Sequence, residues 1–146
     1  LYRLVEKHGE PLNELFLAKV GDRKYFYVHG GTDVEDRENV RTIVAQSNNA
    51  LMLASYGVFG AGTNIPRIHN IIFASPSKSL VRVLQAIGRG LRVAHDKSEL
   101  NLFDIADDLS YNKKKKNFSY KHLIERLNIY NNEGFPYNII TVNLND

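Results

Sequence analysis

Cysteine is absent from this 146-residue chain, which rules out disulfides and thiolate zinc sites and fits a reducing compartment. No apolar run approaches the ~20 residues of a membrane-spanning helix, and no signal peptide opens the sequence. The expectation is a cytoplasmic protein with no membrane partner. The histidines (His8, His29, His69, His95, His122) show no metal-ligand spacing, so no metal is assigned to the chain itself. No internal repeat is visible. Also missing is any G-x-x-x-x-G-K-[ST] loop, the glycine-rich backbone that cradles nucleotide phosphates. There is no initiator Met, and Leu1-Tyr2-Arg3-Leu4-Val5 reads like the tail of a strand, so the chain is expected to come from a longer protein.

What is present argues for one folded domain. The chain is 43% hydrophobic and 24% charged, with eight tyrosines and seven phenylalanines, a balance suited to a packed core and not to a disordered tail. A net charge of +3 is compatible with a polyanionic partner, although many ordinary domains are this basic.

Helix and strand signals alternate, as in an α/β layer fold. Pro11 to Ala18 is helical in pattern, and Lys24 to Val28 reads as a strand that breaks at Gly30-Gly31. Thr32 and Glu35 have the form of a capping box, with Thr32 as N-cap of a helix running to about Gln46 and burying Val40, Ile43 and Val44. Ala50 to Ala54 is continuously apolar, as in a strand buried on both faces. A glycine-rich segment, Tyr56 to Gly62, follows. Asn70 to Ala74 is a further strand, Ser77 or Ser79 caps a helix from about Leu80 to Gly90, and Leu100 to Ile105 is another strand. Beyond the basic run Lys113 to Lys116, Tyr120 to Asn131 is helical in pattern and Pro136 to Leu144 alternates like a strand.

The richest chemistry lies on the helix from Leu80. At roughly 100° per residue, Leu80, Val83, Leu84, Ile87 and Leu91 form one apolar stripe, with Arg82, Gln85, Arg89 and Arg92 opposite. Gly88 and Gly90 are costly in a helix interior, about 1 kcal/mol each relative to Ala, and imply a close backbone approach or a helix end. Taken alone, the pattern is a helix with a solvated basic face. The Gln-x-x-Gly-Arg-x-x-Arg spacing points further, because guanidiniums about a turn apart suit bidentate phosphate recognition.

Gln85-Ala86-Ile87-Gly88-Arg89-Gly90-Leu91-Arg92 resembles motif VI of the superfamily 2 helicases, Q-x-x-G-R-x-x-R. Ala54 to Pro66 (A-S-Y-G-V-F-G-A-G-T-N-I-P) is similar to their motif V, A-T-x-x-x-x-x-G-x-D-x-P, with Ser55 in place of Thr and Asn64 in place of Asp. Tyr27 to Gly31 resembles the segment after motif IV, and residues 1 to 8 look like the end of motif IV. With L-F-D-I-A-D-D and the tail R-L-N-I-Y-N-N-E-G-F-P-Y-N-I-I-T-V-N-L, the likeness is nearest to phage UvsW-type DNA helicases and covers nearly the whole chain.

The resemblance implies an α/β fold with a RecA-like parallel sheet flanked by helices. This helicase C-terminal domain would occupy residues 1–111, with a small helix-strand appendage at 112–146. It implies that Arg92 is an arginine finger on the γ-phosphate of ATP, with Arg89 nearby and Gln85 linking nucleotide state to the other motor domain. ATP with Mg²⁺ would be held mainly by an N-terminal RecA-like domain of the same protein. Gly62, Asn64 and Gly88 would line the nucleotide edge, although Asn64 offers no charge where Asp is common. The Ser55 hydroxyl and the backbone at Tyr56 and Gly57 would hold a phosphate of the DNA track, beside His29, Gly30 and Gly31. Gly30 and Gly31 also suit a plain turn. Asp104, Asp107 and Asp108 read as strand-end and capping groups, with one of them a candidate partner for Arg89 or Arg92.

The implied function is ATP-dependent unwinding or remodelling of branched DNA (forks, R-loops, junctions) in recombination, repair and replication, in the cytoplasm or a phage host's cytoplasm. An RNA helicase, a restriction-enzyme translocase and a non-catalytic nucleic-acid-binding module are the alternatives. The Lys113 to Lys116 run is either solvated or a salt-sensitive phosphate contact.

Overall fold

The computed structural model describes residues 1–60, 65–75, 79–92, 97–109 and 117–143. Among the described residues, four parallel strands and five α-helices alternate along the chain. A π-helical turn at Val5–Gly9 runs directly into α1 (Glu10–Lys19), with Pro11 in the first turn of α1. Strand β1 (Lys24–Val28) leads to α2 (Val34–Gln46), then β2 (Ala50–Ala54) and the short α3 (Tyr56–Gly60). Strand β3 (Asn70–Phe73), α4 (Leu80–Gly90), β4 (Asn101–Asp104) and α5 (Phe118–Asn132) complete the order.

β1 pairs with β2 in parallel, Lys24 opposite Ala50 through Val28 opposite Ala54. β3 pairs with β4 in parallel, Asn70 opposite Asn101 through Phe73 opposite Asp104. The first two residues join the pairs. Tyr2 donates to the Ala54 carbonyl at 3.1 Å and accepts from the Tyr56 N–H at 2.9 Å, while the Leu1 carbonyl accepts from Ala74 at 3.0 Å. The lateral order is therefore β1, β2, residues 1–2, β3, β4, one parallel layer with helical crossovers. Tyr2 is fully buried at its centre.

Helix starts follow local chemistry. Asp33, and not Thr32, caps α2: its carboxylate accepts from the Glu35 N–H at 2.9 Å. Thr32 is drawn into the preceding turn, where its hydroxyl accepts from the His29 N–H at 3.0 Å. Ser79 caps α4 by accepting from Arg82, and Asn117 caps α5 by accepting from Tyr120 at 2.8 Å. The glycine-rich segment after β2 is helical from Tyr56 to Gly60, with the Ser55 hydroxyl accepting from the Val58 N–H.

The main core gathers Ala54, Tyr56, Phe59, Ile71, Phe73, Val83, Ala86, Ile87, Ile129 and Tyr130. Helix α5 is thus part of the same core as the strands. The buried stripe of α4 runs through Val83, Ala86, Ile87 and Gly90, rotated from the one expected: Gly90 lies against Ile71 of β3, while Leu80 and Leu91 are about half exposed. Helix α2 buries no residue fully, and Val40, Ile43 and Val44 are only partly covered. Consequently only the Leu53-Ala54 end of β2 is buried, and not the whole strand. The expected strand at Pro136 to Leu144 does not form among the described residues of that segment. Alternation specifies a face without supplying a ladder partner, and Ile139, Ile140 and Val142 stay exposed.

Candidate nucleotide and nucleic-acid interface

The carboxyl ends of parallel strands are where open α/β sheets hold ligands, and two of the expected segments meet there. Register sets Val28 beside Ala54, and the Ser55 N–H donates to the Val28 carbonyl at 3.2 Å. The turn at His29 to Thr32 therefore lies next to the start of α3. The turn is closed by Thr32 N–H on the His29 carbonyl at 3.0 Å. Gly31 N–H donates to His29 Nδ1 at 3.1 Å, and the imidazole packs on Tyr27 with centroids 5.2 Å apart. This bond leaves Nδ1 the acceptor, which places the proton of a neutral ring on Nε2. Gly30 and Gly31 are exposed.

At the start of α3 the three expected residues differ. Ser55 is buried, with its hydroxyl on Val58. Tyr56 is a core residue: its N–H is on Tyr2, its hydroxyl donates to the Ser75 carbonyl at 3.2 Å, and its ring lies 5.6 Å from Phe73. Neither its ring nor its N–H is open to a nucleic acid, which corrects the expectation for that residue. Burial pushes its phenol pKa well above the ordinary range. Gly57 is exposed with open space around it, so the approachable backbone of this turn is at Gly57.

Motif VI is α4, and it is tied to α3 through its polar face. Arg89 Nη2 donates to the Gly60 carbonyl at 2.8 Å. Gln85 Oε1 lies 3.8 Å from where a Cβ on Gly60 would stand. Arg89 is partly buried, whereas Gln85, Gly88 and Arg92 are exposed. Gly90 is a packing glycine: a Cβ there would stand 2.5 Å from Leu100 Cδ2 and 2.7 Å from Ile71 Cδ1. Gly88 has only open space beside it, so packing does not require it. Gly62 and Asn64 lie outside the described residues, as does the Lys113 to Lys116 run.

Two features escaped the sequence reading. Lys97 Nζ donates to the carbonyls of Pro66 (3.4 Å), Arg92 (3.2 Å) and Gly90, joining the end of motif V to the end of motif VI. Burial lowers its pKa, while the carbonyls and the negative end of the α4 dipole favour its charged form. The signal available was a lysine shortly after a helix end. The second is Asp104, which pairs with Arg126 of α5 and not with Arg89 or Arg92: Arg126 Nε and Nη2 reach its two oxygens, each at 2.7 Å. Among the described residues no three His, Asp or Glu side chains are grouped to hold a metal, and no helix is long and apolar enough to cross a membrane.

A parallel α/β layer with a glycine-opened carboxyl edge and an arginine-bearing helix tied to it has the architecture of a RecA-like domain. The comparisons with known proteins agree. Residues 4–94 match the model of the helicase conserved C-terminal domain. The chain is 35% identical over 146 aligned residues to the ATP-dependent DNA helicase uvsW of Enterobacteria phage T4, an alignment covering 94% of this chain and 29% of that protein. Among solved structures, the C-terminal part of the Fun30 ATPase domain superposes with a TM-score of 0.60 at 17% identity, over 90% of this chain and 47% of that one. The ATP-dependent Type ISP restriction-modification enzyme LlaBIII bound to DNA gives a TM-score of 0.65 at 21% identity, over 90% of this chain and 10% of that one. The chain belongs to the helicase C-terminal domain family.

Proposed function

We propose that the chain is the C-terminal motor domain of an ATP-dependent DNA helicase that unwinds or remodels branched DNA (forks, R-loops, junctions) in recombination, repair and replication. The observation that carries this reading is the tie between motifs V and VI. Arg89 on Gly60 and Lys97 on Pro66, Gly90 and Arg92 hold the two motifs as one edge. Gly88 and Arg92 lie exposed along it. The relative of this chain in phage T4 is named an ATP-dependent DNA helicase.

In this reading the chain supplies one wall of an ATP site and the N-terminal RecA-like domain of the full-length protein supplies the other. ATP with Mg²⁺, held mainly by that other domain, brings the phosphoanhydride whose hydrolysis drives the cycle. Arg92 reaches across to the γ-phosphate and stabilises charge that develops on it, Arg89 keeps the α3 end in place beside it, and Gln85 relays nucleotide state. Gly62, Asn64 and Gly88 form the rest of the nucleotide edge. A tracking DNA strand lies over Gly57 and the His29-Gly30-Gly31 turn, with Ser55 holding the start of α3. The contacts are to phosphate, so they read no sequence. The protein works in the cytoplasm, that of the host if it is phage-encoded.

An RNA helicase or a restriction-enzyme translocase uses similar motifs, so the test is substrate choice. With the full-length protein and ATP, a forked DNA should be unwound at least tenfold faster than a forked RNA of the same sequence. Equal or faster unwinding of RNA, or translocation on linear DNA without strand separation, would contradict the reading.

A further inference from the structure

The most deeply buried charge in the described structure lies outside both motifs. Arg126 of α5 is fully buried, and its guanidinium forks onto Asp104 at the end of β4. The Asp104 carboxylate also accepts from the Tyr130 hydroxyl at 2.8 Å, one turn further along α5. A bidentate pair with a third hydrogen bond defines direction as well as distance, which an apolar contact does not. This cluster reaches the start of α3. Tyr56 shares a core with Phe73, Ile129 and Tyr130, and its hydroxyl is fixed on Ser75. Arg126 and Asp104 both act electrostatically on the Tyr56 phenol, in opposite directions. Tyr56 in turn sits directly between Ser55 and Gly57, and its N–H is the bond that joins α3 to residue 2.

We infer that the Asp104–Arg126–Tyr130 cluster is a brace through which α5 sets the position of the Ser55-Tyr56-Gly57 turn, making Arg126 and Tyr130 positioning residues for the grip on nucleic acid. The inference rests on the reading of that turn as part of a DNA track. Its consequence is selective. Loosening the brace shifts the turn at Gly57 without touching Arg92, so affinity for DNA falls while turnover at saturating DNA is retained.

The experiment uses the full-length protein and measures ATPase rate against concentration of a forked DNA. Two variants are compared with wild type. Tyr130→Phe removes one hydroxyl and keeps the ring. The double variant Asp104→Leu with Arg126→Met replaces the ion pair by apolar side chains of similar reach, an exchange that buried pairs often tolerate in stability. Thermal unfolding of each is recorded alongside. The expected result is a DNA concentration for half-maximal stimulation raised about threefold in Tyr130→Phe and tenfold or more in the double variant. The maximal rate and KM for ATP should stay within about twofold of wild type. Variants that melt earlier but keep wild-type half-saturation would show a structural pin only and overturn the inference. So would a double variant that does not fold while Tyr130→Phe shows wild-type half-saturation. A wild-type protein whose ATPase is not stimulated by DNA would overturn the reading beneath it, and the inference with it.

Discussion

Gly88 is exposed near the end of α4, and the open space beside it leaves packing no need for a glycine there. Gly88→Ala should raise the melting temperature, since alanine favours a helix interior by up to about 1 kcal/mol. It should lower the ATPase rate of the full-length protein if a nucleotide or a partner backbone comes close at this point. Gly90→Ala should behave in the opposite way: its Cβ would overlap Leu100 and Ile71, and overpacking of this kind costs about 1–3 kcal/mol. Calorimetry and a steady-state ATPase assay on the two variants check both statements. Lys97→Met removes a charged donor from three carbonyls at the end of α4. The expected result is a modest stability loss of about 1 kcal/mol, because the ammonium is partly solvated, together with a fall in kcat larger than that loss explains.

At the scale of elements, α5 is held by more than apolar contact. Removing one partner of a buried pair leaves the other charge unpaired, at a cost of about 3–5 kcal/mol. Arg126→Met alone should therefore destabilise the domain far more than the double change with Asp104→Leu, a difference readable in urea titrations. Element positions were largely legible beforehand, because β1, β2 and α4 are written in local pattern: three consecutive aromatics ending on a valine, a five-residue apolar run, a serine before an amphipathic stretch. What pattern could not supply was competition and distance. Thr32 and Asp33 are adjacent caps of similar strength, and the choice fell to Asp33 because the His29 turn claims the Thr32 hydroxyl. The partner of Asp104 lies 22 residues away, where periodicity carries no information. The tail from Pro136 looked like a strand for the same reason, since an alternating face says nothing about whether an edge is free to receive it.

For the whole molecule, the order β1, β2, residues 1–2, β3, β4 sets the His29 turn beside the start of α3, while the Arg89–Gly60 bond ties α4 to the end of that same helix. Of the candidate site, Gln85, Gly88, Arg89 and Arg92 were legible through one motif. The burial of Ser55 and Tyr56 was not, because a motif gives spacing and not exposure. On the proposed reading, this chain completes an ATP site formed with another domain of the same protein. It is tested most directly by the DNA-saturated ATPase rate of full-length wild type against Arg92→Ala. Arginine fingers contribute about 10³- to 10⁵-fold to turnover, so Arg92→Ala is expected to lower kcat at least a thousandfold with little change in nucleotide affinity. A variant that keeps more than about a tenth of wild-type turnover would contradict it.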